Sequence, residues 1–333
     1  MSMFSVTSRL VQAQQASSPT KHQEEGYVKA GRSAEEDLTK ALRHHGVPLG
    51  HIFRGLRVPD GFQTRKFEID LVVLTDDGLF TIEVKNWSGK VTLGSDGKSW
   101  IQHKCSYSDK DTSVSYDEKH DDLIAHLKLK TQLLRNHLLR NDVCLAEKFF
   151  HPRIVFMNKK MELQDVLASK LEVVSSFRYK AFLESFEKGL GWSMASAIVP
   201  SFLTGQLSFS AMEAARQALN VIGTWDIVCL NGDKQIFGDF KGCAHFSPNR
   251  EETGMLEFSH QRNASISSFW AVLGYSPQVV VTMHKRSGGS WLWGTSCGSV
   301  TIPYNAEITF RAAGDQEVSK VPANDIQSIS LSI

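Results

Sequence analysis

The chain lacks the marks of several large protein classes. Its five cysteines, Cys105, Cys144, Cys229, Cys243 and Cys297, are odd in number, and no CxxC spacing occurs. That pattern offers neither a disulfide framework nor a zinc site and fits a reducing compartment. No apolar run approaches the ~18–20 residues that cross a bilayer as a helix, so no membrane partner is expected. There is no excess of charge either, since Lys+Arg 37 against Asp+Glu 36 leaves a net +1. No global basic field advertises a nucleic-acid partner, and any such binding rests on a local patch. Internal repeats, a Gly-x-Ser-x-Gly elbow and metal-spaced histidine pairs backed by an acid are missing as well.

What is present is ordinary globular composition. The 333 residues are 41% hydrophobic and 22% charged, enough to bury a core. A prior of about 150 residues per domain gives roughly two domains. Residues 1–26, rich in Ser and Gln, read as a flexible tail. Their first part carries Arg9, Lys21 and His22 ahead of any acid, a faint likeness to a mitochondrial leader. The expected location is intracellular, cytoplasmic or nuclear, with mitochondria the alternative.

Residues 33–44 predict a helix. Ser33 is its N-cap, Glu36 the capping-box partner, Leu38 and Leu42 share one face, and Gly46 and Pro48 end it. Strand-like runs follow at 50–58, 67–74, 79–85 and 99–104, with Thr75-Asp76-Asp77-Gly78 as a strong turn. Residues 120–140 carry the clearest helical stripe, from Leu123, Ile124, Leu127, Leu134 and Leu138, with Lys128, Lys130, Arg135 and Arg140 largely off it. Short strands at 153–157 and 171–175 and a helix at 179–188 complete residues 27–190 as one α/β domain. Residues 191–222 read as a helical connector with a helix near 210–220. From 223 to 333 short strands alternate with turns, at 226–230, 235–240, 254–259, 279–284, 291–294, 307–311 and 326–332. This predicts an all-β module, a sandwich or partly closed barrel. The fold class is α/β, a mixed sheet flanked by helices, followed by a C-terminal all-β module.

One segment carries chemistry: Glu68-Ile69-Asp70, a turn at Gly78, then Ile82-Glu83-Val84-Lys85-Asn86-Trp87. Strand side chains alternate, so Glu83 and Lys85 leave the same face about 7 Å apart. A two-residue loop at Asp77-Gly78 sets Asp70 opposite Lys85 and diagonal to Glu83. A four-residue loop over 75–78 sets Asp70 opposite Glu83. Both gather two acids and a lysine on one patch, whereas a three-residue loop without a bulge turns Asp70 away. Two neighbouring carboxylates repel, and a divalent cation relieves that repulsion. Hard oxygen donors suit magnesium or manganese. Such a cation makes water easier to deprotonate and stabilises charge on a phosphoryl oxygen, with lysine neutralising the rest. The bland alternative is a solvated hairpin with surface charges.

These residues resemble those of the nuclease-related domain (NERD) family, which is grouped with the PD-(D/E)XK nuclease-like fold. The likeness lies in Glu-Ile-Asp, a glycine-centred turn and Ile-Glu-Val-Lys-Asn-Trp-Ser-Gly. Upstream, Gly31-Arg32-Ser33-Ala34-Glu35-Glu36-Asp37-Leu38 is similar to the family's Gly-x-x-Gly-Glu helix start, with Ala34 in place of the second glycine. The resemblance implies a nuclease-like mixed sheet over residues 27–190 and cleavage of DNA or RNA with Mg or Mn. It implies Asp70, Glu83 and the Val84 carbonyl as metal ligands, Lys85 as an orienting or stabilising cation, and Glu35 as an outer or metal-bridging acid. The sequence departs from the family where Lys119-His120-Asp121-Asp122 stands in place of an Asn-Pro…Gln stretch.

Lys128, Lys130 and Arg135 are candidate phosphate contacts, against a solvated helix face. Gln102 is a candidate support from the next strand, against a plain surface glutamine. In the β module, Trp225, Phe237, Phe240, Trp270, Trp291 and Trp293 read first as core. With Lys241, Lys285 and Arg286 they offer a base-stacking surface as the alternative. The competing function, from another class, is a non-catalytic nucleic-acid- or protein-binding adaptor whose β module recruits a protein partner.

Overall fold

The run Leu71-Val72-Val73-Leu74 has no polar alternation, as expected of a strand covered on both faces. The computed structural model places it on an inner strand of a sheet between two helical layers. The structure describes residues 3–107, 113–188, 205–286 and 296–333. They form two units: residues 26–224, and residues 225–333 together with 1–25. Helix α1 (Met3–Ser17) belongs to the latter.

The first unit opens with α2 (Gly26–His44) and strands β1 (Ile52–Pro59), β2 (Lys66–Thr75) and β3 (Gly78–Lys85). It continues with β4 (Gly89–Leu93), β5 (Trp100–Tyr107), β6 (Ser113–His120) and α3 (Leu123–Arg140). Then come β7 (Phe150–Phe156), β8 (Met161–Leu163), α4 (Asp165–Ala168), β9 (Val173–Val174), α5 (Tyr179–Lys188) and α6 (Phe209–Asn220). The main sheet has the order β1-β2-β3-β7-β9, antiparallel up to β3 and parallel beyond it. A smaller sheet has the order β6-β5-β4-β8.

Alternation sends Leu71, Val73, Ile82 and Val84 into one core with Leu38 and Leu42 of α2 and Phe182 and Phe186 of α5. Val72, Leu74 and Leu79 pack on the other side with Leu134 and Leu138 of α3 and Met212 and Leu219 of α6. The mixed sheet flanked by helices is therefore as expected.

The hairpin pairs Thr75 with Gly78 and Leu71 with Ile82, closed by Asp76-Asp77. This is the register that the longer-loop reading anticipated, reached with a tighter turn. Glycine is required at position 78. Its φ is 134° and a Cβ there would lie 2.2 Å from the Phe149 carbonyl oxygen.

Three expectations are corrected. The first helix begins at Gly26, not Ser33, so Ser33 is internal and caps nothing. Residues 3–17 form α1 rather than a tail: Ala13 and Ala16, three residues apart on one face, are buried, and Arg262 donates to the Ala16 carbonyl at 3.0 Å. The helix in the 191–222 segment, α6, packs Met212, Ala215 and Leu219 into the main core rather than merely connecting.

The second unit carries β10 (Asp226–Leu230), β11 (Gln235–Cys243), β12 (Thr253–His260), α7 (Ala264–Val272) and β13 (Gln278–Lys285). It ends with β14 (Ser296–Pro303), β15 (Glu307–Ala312), β16 (Ser319–Pro322) and β17 (Ile326–Ser330). These strands make one eight-stranded antiparallel sheet, β14-β13-β12-β17-β10-β11-β15-β16. Phe240 is buried, and Arg286 donates to the carbonyls of Arg250, Thr253 and Leu331, so both are structural. The strand predicted at 291–294, with Trp291 and Trp293, lies outside the described residues.

Candidate active site

The β2–β3 ladder ends at Leu71–Ile82, and the next link across the strands is a side chain. The Val84 N–H donates to Asp70 Oδ2 at 2.8 Å. In this register Asp70 stands opposite Glu83, and alternation puts Lys85 on the same face. Asp70 therefore turns toward its two companions. Lys85 Nζ donates to Glu83 Oε1 at 2.8 Å.

The sequence reading placed Lys130 among phosphate contacts, off the helical stripe. The structure sets it in this cluster, with Nζ donating to Glu83 Oε2 at 2.7 Å. The signal was present, because Lys130 lies three residues after Leu127 and four before Leu134, both buried. Helix α3 is held over β3 by Leu134 and Leu138, which share a core with Leu79, and by a buried hydrogen bond between the Thr81 and Thr131 hydroxyls at 2.6 Å. Asp122 caps its start, accepting from the amides of Ile124 and Ala125.

Glu35 approaches from α2. Asn86, directly after Lys85, donates to the Ala30 carbonyl at 3.0 Å and so ties that helix to the end of β3. Glu35 feels Glu68, Arg54, Glu83 and Lys85, a neighbourhood in which Arg54 was not anticipated and Glu68 had been given no role.

The electrostatics divide the acids. Burial, then the charges of Glu83 and Glu35, push the Asp70 carboxyl well above the carboxylate range, against Lys85 and the Val84 amide. Burial, with Glu68 and Glu83, lifts Glu35 to about 7. Burial also raises Glu83, but Lys85 and Lys130 outweigh it and hold it below its ordinary value. Burial lowers Lys85, but Glu83 and Asp70 prevail and keep its ammonium charged.

Among the described residues, no three His, Cys, Asp or Glu side chains converge closely enough to cage a metal ion. The donor set nonetheless suits a hard divalent cation. It is all oxygen, and burial together with neighbouring carboxylates raises both Asp70 and Glu35, a cost that a cation would relieve.

Other candidates fall elsewhere. Lys128 pairs with Glu172 and Arg135 with Glu147 rather than with the acids of the hairpin. Gln102 is not a surface residue but 1% exposed. Its amide donates to the Ser88 carbonyl at 2.7 Å and its Oε1 is buried without a partner. His120 was not singled out for the site. Its ring stacks on Trp87 with centroids 4.1 Å apart, and it lies in the field of Lys85.

Residues 30–157 match the family model described as a nuclease-related domain. That span holds Glu35, Asp70, Glu83, Lys85 and Lys130. No curated protein and no solved structure matches the chain.

Proposed function

Since the chain carries a nuclease-related domain over residues 30–157, in the PD-(D/E)XK nuclease-like superfamily, we propose that it hydrolyses phosphodiester bonds of DNA or RNA with a divalent metal, Mg or Mn. One observation carries this reading: Asp70, Glu83 and Lys85 share a face where the β2–β3 ladder ends, with Lys85 bonded to Glu83. A solvated hairpin would spread these charges into water, whereas here all three are partly buried.

Asp70 and Glu83, with the Val84 carbonyl, would hold the cation. When bound, it supplies Lewis-acid stabilisation of negative charge and eases deprotonation of water. Lys85, its ammonium kept charged by Glu83 and Asp70, orients the attacking water and neutralises charge growing on the phosphoryl oxygens. Glu35, lifted to about 7, is poised to take and return a proton near neutral pH. The water oxygen bonds to phosphorus as the ester P–O bond breaks. The departing oxygen is protonated, leaving a phosphate monoester and a hydroxyl.

The test is a panel of single- and double-stranded DNA and RNA, incubated with Mg or Mn or with chelator, beside Asp70→Ala. Cleavage that needs both metal and Asp70 supports the proposal and identifies the substrate. Equal background in both proteins, with nucleic-acid affinity retained, assigns the non-catalytic adaptor instead.

A further inference from the structure

The Glu83 carboxylate carries two ammonium groups. Lys85 takes Oε1 at 2.8 Å and Lys130 takes Oε2 at 2.7 Å, with the Glu83 side chain only 14% exposed. Of the two, Lys85 also lies in the fields of Asp70 and Glu35. The second, Lys130, projects half-buried from α3 beside the buried Leu127, Thr131 and Leu134, where an apolar residue would pack without desolvating a charge. The Thr81–Thr131 bond fixes the helix next to it, so the ammonium is aimed at this carboxylate by the fold.

A divalent cation on Glu83 would compete for the oxygen that Lys130 holds and would repel its ammonium. Glu172, the other acid placed against a lysine of this helix, is already paired with Lys128. The anion that metal binding brings within reach is the phosphate of a nucleic-acid strand. We propose, building on the function above, that Lys130 is a phosphate-contacting residue gated by the metal. It is paired with Glu83 in the metal-free protein and transferred to a substrate phosphate oxygen when the cation takes Glu83. Metal and nucleic acid then bind cooperatively, each tightening the other by the same factor.

The experiment uses the full chain and a phosphorothioate oligonucleotide that resists cleavage, with Mg affinity measured by calorimetry and oligonucleotide affinity by anisotropy. In the wild type Mg should tighten oligonucleotide binding by about ten-fold and steepen the salt dependence by about one phosphate contact. Lys130→Gln should lose that gain while binding Mg alone at least as tightly, because the competing ammonium is gone. Lys130→Arg and the control Lys128→Gln should keep the gain. Lys130→Met, which suits the apolar stripe, should repeat the result of Lys130→Gln if the glutamine variant folds poorly. A full Mg-dependent gain in both Lys130→Gln and Lys130→Met overturns the proposal, as does weaker Mg binding in both. Absence of Mg binding by the wild type would instead overturn the metal-dependent function on which it rests.

Discussion

Asp70 and Glu83 face one another across β2 and β3, and their carboxyls are driven in opposite directions. Glu83, bonded to Lys85 and Lys130, is held low, while Asp70, bonded to the Val84 amide and close to the Glu83 charge, is pushed up. Near neutral pH one is an anion and the other an acid. Environments that separate neighbouring acids in this way are characteristic of sites that move protons or take up a cation.

The first prediction is a pH dependence of stability. Glu35 rises from an ordinary value near 4.5 to about 7, and Asp70 is raised as well. As pH climbs through that window the unfolded chain releases these protons and the folded chain retains them. The folded state thus binds more protons, and stability falls with rising pH. In chelator, the melting temperature of this unit should be lower at pH 8 than at pH 5 by a few degrees, at about 2–4 °C for each kcal/mol. Magnesium added at pH 8 should restore it, and at pH 5 should do little, because protons compete for the same oxygens. Scanning calorimetry at the two pH values, with and without Mg, reads all four cases.

Asp70→Asn should not destabilise the metal-free protein. The amide oxygen still accepts the Val84 N–H, and a desolvated carboxyl is removed. Its melting temperature at pH 8 should equal or exceed that of the wild type, while the stabilisation by Mg disappears. A drop of several degrees in chelator would mean that Asp70 is a structural acid.

The clamp between α3 and β3 should show the asymmetry of buried hydrogen bonds. Thr131→Val leaves the Thr81 hydroxyl buried without its partner and should cost about 1–3 kcal/mol. The double variant Thr81→Val/Thr131→Val removes both hydroxyls and should recover much of that loss. A double-mutant cycle on unfolding midpoints measures the coupling.

In the β unit, buried Asp226 accepts from the Phe240 and Ser332 amides, each at 2.7 Å, and from Arg250 at 2.8 Å. Asp226→Ala strands these donors and should cost about 3–5 kcal/mol. Hydrogen exchange should show the loss in residues 225–333 while amides of α3 and β3 keep their protection.

The hairpin, α3 and the Glu83–Lys85 pair were legible because each obeys a short-range period. Alternation fixed the shared face, and the Leu127–Leu134–Leu138 stripe fixed the helix. Helix α5 runs over 179–188 as its pattern predicts. Strand β6 was missed because the alternation of Val114 and Tyr116 stops there, and Asp117-Glu118-Lys119-His120 is wholly polar. It is an edge strand, held by its pairing to β5 and by polar pairs such as His103–Asp117 and Lys104–Glu118. Helix α1 was read as a tail because its buried face rests on small alanines. The Lys130–Glu83 pair was not legible because the acid that Lys130 meets lies 47 residues earlier in the chain, outside any local period.

The most direct measurement is the single-turnover rate of phosphodiester cleavage by Lys85→Ala with saturating Mg, beside the wild type. In the proposed function Lys85 acts at the reacting phosphate rather than in general affinity for the strand. The rate should fall at least about 100-fold, near the cost of losing one preorganised charge-stabilising group, while oligonucleotide affinity stays within a few-fold. An unchanged rate, or the same slow background in both proteins, would contradict a hydrolytic site at this hairpin.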